Sequence, residues 1–137
     1  MLTLLTVFGL SVVKLHNLKA PWVDECYSYY GVYHDSFSEF YGSILTGINF
    51  SPPLYFLFNF CIQLVLPTSI DQLRLQSLIF IIIGIVLSFL LTRKVFSTLP
   101  AFVATILVLS QSDLIISQAQ EARHYAMFFA CGAWVLY

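Results

Sequence analysis

Two short stretches hold most of the groups that could do chemistry in this chain. In "PWVDECYSYY", residues 21–30, two adjacent carboxylates, Asp24 and Glu25, follow the first apolar run and are flanked by aromatics. In "EARHYAM", residues 121–127, Glu121, Arg123, His124 and Tyr125 stand at the mouth of another apolar run. A carboxylate held at a membrane surface can serve as a general base or a metal ligand. An arginine at a low-dielectric boundary is a natural partner for a phosphate, to which it offers two parallel hydrogen bonds. Each stretch also has a plain structural reading. Asp24 could cap a helix, and Glu25 could favour its first turn through the helix dipole, roles compatible with the chemical ones. Arg123 and Tyr125 could form an interfacial anchor, the simpler reading of that segment taken alone. Asp113, towards the far end of a further apolar run, is a weaker candidate and reads more simply as a solvated helix-end residue.

Composition sets the elements that must carry these groups. The 137 residues are 59% hydrophobic, 17% aromatic and only 9% charged, with a mean hydropathy of +0.86. A soluble domain usually carries about 25% charged residues. Polar groups cannot cover the surface of this chain, so a membrane is its natural solvent. The net charge of -1 supplies no basic face, which speaks against nucleic acid as a partner. Cys26, Cys61 and Cys131 have neither CxxC nor Cys/His spacing, so no zinc site or disulfide framework is expected. Cys61 and Cys131 lie in apolar runs and read as buried free thiols.

Residues 1–13 carry no charge, yet as a helix they reach only roughly 20 Å against about 30 Å of hydrocarbon. A first crossing must extend through Lys14 to about Lys19, with the lysines snorkelling, or begin upstream of Met1. A cleaved signal peptide is the alternative, but there is no basic leading region and no clear small-x-small site before Pro21. In residues 20–52, Tyr27, Tyr30, Tyr33, Phe37, Phe40, Tyr41, Ile44, Leu45 and Ile48 recur mostly at steps of three or four. That is the apolar face of one amphipathic helix or of two in series. A capping box at Ser36–Glu39 favours two, with a break near His34-Asp35. A tyrosine-rich face beside a membrane segment suits an interfacial helix. Pro53 suits the first position of a helix that closes before Pro67, too short to cross a bilayer comfortably.

Residues 73–91 and 95–116 read as two further spans, separated by Arg93-Lys94, and 124–137 as the start of a fourth. The positive-inside rule places Arg93-Lys94 in the cytoplasm. If residues 53–66 stay on the outer side, Asp24-Glu25 and "QAQEARHY" then emerge on the same face. The expected architecture is an all-α integral membrane protein, a multi-pass helical bundle with juxtamembrane amphipathic helices in its first external loop. It comprises a span at about 1–19, an external loop at 20–67, spans at 73–91 and 95–116, and a truncated helix at 124–137. The whole reads as one partial transmembrane domain.

Four motifs in order, "PWVDECYSYY", "SPPLYFLF", "DQLRLQSLIF" and "SQAQEARHYAM", carry a family resemblance that runs from Trp22 to Met127. In order and spacing they resemble motifs of the polyprenyl-phosphate-dependent membrane glycosyltransferases of GT-C fold. These are enzymes of the dolichyl-phosphate-mannose–protein mannosyltransferase and aminoarabinose-transferase type. The resemblance implies transfer of a sugar from a polyprenyl-phosphate donor to an acceptor (lipid, polysaccharide or protein) on the extracytoplasmic face of a cell membrane, taken as the bacterial inner membrane. It implies that Asp24 activates the acceptor hydroxyl or organises a metal, with Glu25 its catalytic or supporting neighbour. Arg123 and Tyr125 would lie at the donor phosphate, with Glu121 and His124 in support. No cofactor is fixed by the motifs; a divalent metal remains an open option. Ser51 stands where many relatives have His, which counts against a metal, and His124 replaces a usual proline. The rival readings are a non-catalytic small membrane protein or truncated paralogue, and a transporter fragment. A transporter should carry its ionisable groups at mid-membrane.

Overall fold

The computed structural model describes residues 2–16, 20–46, 52–111 and 113–137. The described residues form eight helices: α1 (Leu2–His16), α2 (Val23–Val32), α3 (Phe37–Leu45), α4 (Pro53–Gln63), α5 (Ile70–Val95), α6 (Thr98–Gln111), α7 (Asp113–Gln120) and α8 (Tyr125–Leu136). The protein is all-α. By length and composition one helix, the 26-residue α5, is long and apolar enough to cross a membrane. The apolar stretches in α1, α6 and α8 are shorter.

Helix α5 is the axis of the fold. Ser69 caps it by accepting the Gln72 N–H at 3.1 Å, Asp71 sits in its first turn, and Arg93 and Lys94 in its last. That charge order complements the helix dipole at both ends. The helix extends beyond the span expected at 73–91 because the flanking polar residues cap it. Helix α8 runs parallel to α5 and packs against it more extensively than any other element. Ser77 donates to the Arg123 carbonyl at one end of the pair, and Lys94 Nζ donates to the Tyr137 carbonyl at the other, at 2.8 Å. Between these ends Gly84 lets the helices close: a Cβ there would stand 2.3 Å from the Phe129 ring. The stretch expected as one span at 95–116 holds α6 and the start of α7, with Ser112 between them outside the described residues. Val12, Leu78, Ile81, Ile85, Leu109 and Ala126 belong to the core that joins α1, α5, α6 and α8.

A second core sits among α2, α3 and α4. Val32, Phe40, Tyr55, Phe56 and Phe60 cluster with Met127 of α8. The expected break at His34-Asp35 is present, and Ser36 accepts the Glu39 N–H at 3.3 Å to start α3. Pro53 is the first residue of α4, where its missing N–H costs nothing. Helix α2 buries Glu25, Ser28, Gly31 and Val32, so Tyr27 and Tyr30 point outward, as do Tyr33, Phe37 and Tyr41. Ile48 and Ser51 lie outside the described residues. The thiols read as buried, Cys61 and Cys131, are exposed instead. Each falls on the face of its helix turned away from the core, a position that apolar surroundings in sequence cannot distinguish from burial.

Candidate functional site

Glu25 forms the centre of the site. The helix break before Val23 leaves the Trp22 N–H unpaired within α2, and Glu25 Oε2 reaches back to accept it at 3.0 Å. This is the carboxylate half of a capping box. The N-cap position is therefore Trp22, and Asp24, considered for that role, lies in the first turn. The same carboxylate takes a bidentate pair from Arg74 of α5, Nε to Oε1 at 2.8 Å and Nη2 to Oε2 at 2.7 Å. Oε1 also accepts the backbone N–H of Ala122 at 3.0 Å. Four N–H groups thus converge on a carboxylate with 0% exposure.

Burial alone would raise the Glu25 carboxyl pKa. The Arg74 hydrogen bonds and the Trp22 and Ala122 amides outweigh it and hold the carboxyl down to about 2 from 4.5. Glu25 is therefore an ionised structural hub that joins α2, α5 and the α7–α8 turn. A carboxyl so far below neutrality is a poor proton acceptor.

One residue to either side of that contact lies the exposed half of the site. Arg123 Nη2 donates to Asp24 Oδ2, and Arg123 Nε lies 3.1 Å from Glu121 Oε2. The side chains of Asp24, Arg123 and Glu121 are 57%, 23% and 14% exposed. Two carboxylates flank one guanidinium at the surface. The turn holding Arg123 is fixed by its own N–H bonded to the Glu121 carbonyl at 2.9 Å and by Ser77 of α5.

His124 lies on the inner side of this turn. Its ring centroid is 4.1 Å from that of Tyr125, 5.4 Å from Phe128 and 6.2 Å from Tyr55. Burial, reinforced by the adjacent Arg123, lowers its pKa below the ordinary imidazole value. Tyr125 is about half exposed. The Tyr55 hydroxyl is buried; its surroundings, and secondarily the Glu25 carboxylate, raise its pKa well above the ordinary value.

Of the residues singled out in sequence, the structure brings together Asp24, Glu121 and Arg123, and sets His124 and Tyr125 beside them. Glu25 points the other way, into the protein. The side chain of Asp113 lies outside the described residues. A divalent cation does not fit what is present. Among the described residues no three His, Cys, Asp or Glu converge, and Asp24, Glu25 and Glu121 each already face a guanidinium.

Arg74 is the residue that sequence reasoning passed over. Its signal was available, because a carboxylate beside a membrane span needs a cation, and arginine is the one built for bidentate pairing. Comparison with family models, with characterised proteins and with solved structures returns no match for this chain. The class that fold and site define is an all-α protein with a helix capable of crossing a membrane and a charged cluster at that helix's N-terminal end.

Proposed function

We propose that this chain carries the extracytoplasmic reaction centre of a multi-pass membrane glycosyltransferase that draws its sugar from a polyprenyl-phosphate donor. The observation that carries the reading is the meeting of Asp24 with Arg123 across 99 residues of sequence, at the end of the membrane-length helix. A sugar on a lipid phosphate already has a good leaving group. The protein must hold an acceptor, take its proton and neutralise the departing charge. Arg123 is the cation that would take the phosphate, since a guanidinium offers it two parallel hydrogen bonds. A phosphate binding there competes with Asp24 and Glu121 for the guanidinium, and leaves Asp24 free to take the proton of an acceptor hydroxyl. Donor binding would then free the base. On this reading Tyr125 lies at the headgroup, the exposed aromatic face of α2 and α3 rests in the lipid interface, and α1, α6 and α8 complete the membrane bundle.

A second reading is favoured by the same pair: Asp24 and Arg123 neutralise one another and could be a surface clasp in a non-catalytic membrane protein. The experiment separates the two. Asp24→Asn should abolish sugar transfer in proteoliposomes supplied with polyprenyl-phosphate sugars, with membrane insertion unchanged. Arg123→Gln should lose binding of sugar-free polyprenyl phosphate. The reversed pair, Asp24→Arg with Arg123→Asp, restores a clasp but not a phosphate site. Full transfer by Asp24→Asn, or by the reversed pair, would sink the catalytic reading.

A further inference from the structure

A groove lies along the second half of α5, away from the charged site. It has a volume of about 280 Å³, is half open to the surface, and is lined from four helices, with Ile85 of α5, Val108 and Leu109 of α6, Ile115 of α7 and Phe129 of α8 in its wall. Two hydroxyls in the wall are engaged by their own helices: Thr92 Oγ1 donates to the Ser88 carbonyl and Thr105 Oγ1 to the Ala101 carbonyl, each at 2.8 Å. An apolar cavity of about 150 Å³ stays dry and takes up a hydrocarbon ring. This groove is larger, and its wall suits hydrocarbon rather than a polar ligand.

One end of the groove is basic. Thr92 is its last residue on α5, and Arg93 and Lys94 follow in the final turn, both exposed. Lys94 Nζ stands 3.6 Å over the Tyr137 ring. Among the described residues no ion pair holds Arg93. Residues 72–96, α6 and α8 contain no Asp or Glu, so no acidic side chain on these elements offsets the two cations. Trp134, one turn before Tyr137, is largely exposed, as is Phe96. Exposed Trp and Tyr beside basic residues mark the level of bilayer headgroups. From that level the groove runs inward to Ile85, about 12 Å along the helix axis from Arg93.

A chain of hydrocarbon below and an anion above describe a charged lipid. Each basic residue at this level favours an anionic headgroup, and basic pockets between spanning helices bind such headgroups. The lipid is not a donor held at the charged site, because Arg74 lies about 28 Å along α5 from Arg93, close to the thickness of the hydrocarbon layer. A phosphate at Arg123 belongs to the opposite leaflet. We infer that the groove takes one acyl chain of an anionic phospholipid whose headgroup phosphate meets Arg93 and Lys94. The positive-inside rule makes that leaflet the cytoplasmic one. The assignment rests on α5 crossing a membrane and not on the glycosyltransferase reading.

The test uses the full chain in detergent micelles, with native mass spectrometry to count bound lipid. Dioleoyl phosphatidylglycerol and dioleoyl phosphatidylcholine carry the same chains and differ in headgroup charge. Wild type should bind the phosphatidylglycerol at least about fivefold more tightly, the worth of one basic residue at this level. Arg93→Gln should reduce that preference about fivefold, while Lys14→Gln, on α1, should keep it. Ala104→Phe, at an exposed position in the wall, should fill the groove and weaken binding of both lipids. Both Arg93 and Ala104 are exposed, so these variants should keep wild-type helicity by circular dichroism. Equal binding of the two lipids by wild type overturns the inference, as does phosphatidylglycerol binding that Ala104→Phe leaves unchanged. Displacement of phosphatidylglycerol by an equal concentration of sugar-free polyprenyl phosphate in Arg123→Gln also overturns it, by making the groove a polyprenyl site. A dimer that Ala104→Phe dissociates overturns it too, by making a second copy of the chain the occupant.

Discussion

Arg74→Met keeps most of the arginine stem and deletes the charge that faces Glu25. The carboxylate, 0% exposed, would keep only the Trp22 and Ala122 amides of its four donors. Breaking a buried ion pair by removing one partner costs about 3–5 kcal/mol. The depressed pKa of Glu25 points the same way. Its carboxyl is held at about 2 against an ordinary 4.5, and that separation corresponds to about 3 kcal/mol.

The sign of the pH dependence follows from the direction of the shift. A depressed carboxyl pKa contributes stability that is fully present above the unfolded value of 4.5 and is lost as pH falls towards about 2. Roughly 2 kcal/mol of it should be gone by about pH 3. Denaturant unfolding in detergent, followed by far-ultraviolet circular dichroism, is the assay. Wild type should lose stability from neutral pH to about pH 3 by that amount more than Glu25→Gln, which has no such group to titrate. The double variant Glu25→Gln, Arg74→Met should be less damaged than Arg74→Met alone, because it strands no charge. Parallel pH profiles for wild type and Glu25→Gln, or an Arg74→Met variant within about 1 kcal/mol of wild type, would refute the hub.

Three further outcomes can be checked by the same unfolding measurement. Asp24→Asn should cost less than about 1 kcal/mol, since its pair with Arg123 is exposed to solvent; a larger loss would make Asp24 structural. Gly84→Ala should destabilise by about 1–3 kcal/mol, because a Cβ there stands 2.3 Å from the Phe129 ring, and Gly84→Ala combined with Phe129→Ala should recover part of that loss. Ser97→Gly should stabilise by about 1 kcal/mol, because Ser97 sits at φ 139°, a backbone region that suits glycine; no gain would mean that the turn is held without strain.

What could be read from the sequence, and what could not, divides along the range of the forces involved. The α3 start at Ser36, the α4 start at Pro53 and the end of α5 at Arg93-Lys94 are local signals, and all three appear in the structure. Asp24 and Arg123, singled out from separate stretches of sequence, touch in the structure. Two features depend on contacts distant in sequence and were not legible. The burial of Glu25 follows from its being drawn to Arg74 of α5. The exposure of Cys61 and Cys131 follows from which helix faces meet.

The adjacency of the two carboxylates explains why they have separate duties. Neighbouring side chains on a helix diverge by about 100°, so α2 cannot bury both. The stripe Glu25, Ser28 and Val32 turns inward, which leaves Asp24 turned towards solvent. The contact that buries Glu25 then determines what Asp24 meets. Glu25 holds the N–H of Ala122, so one step back along α2 and one step forward along the turn bring Asp24 against Arg123. The exposed pair is thus placed by the buried one. Glu25 need not touch a substrate for its loss to abolish function, because Arg74, Glu25 and the Ala122 amide set the position of the two residues that would. A substitution at Glu25 that kills activity therefore shows positioning unless the Asp24–Arg123 pair is shown to be intact.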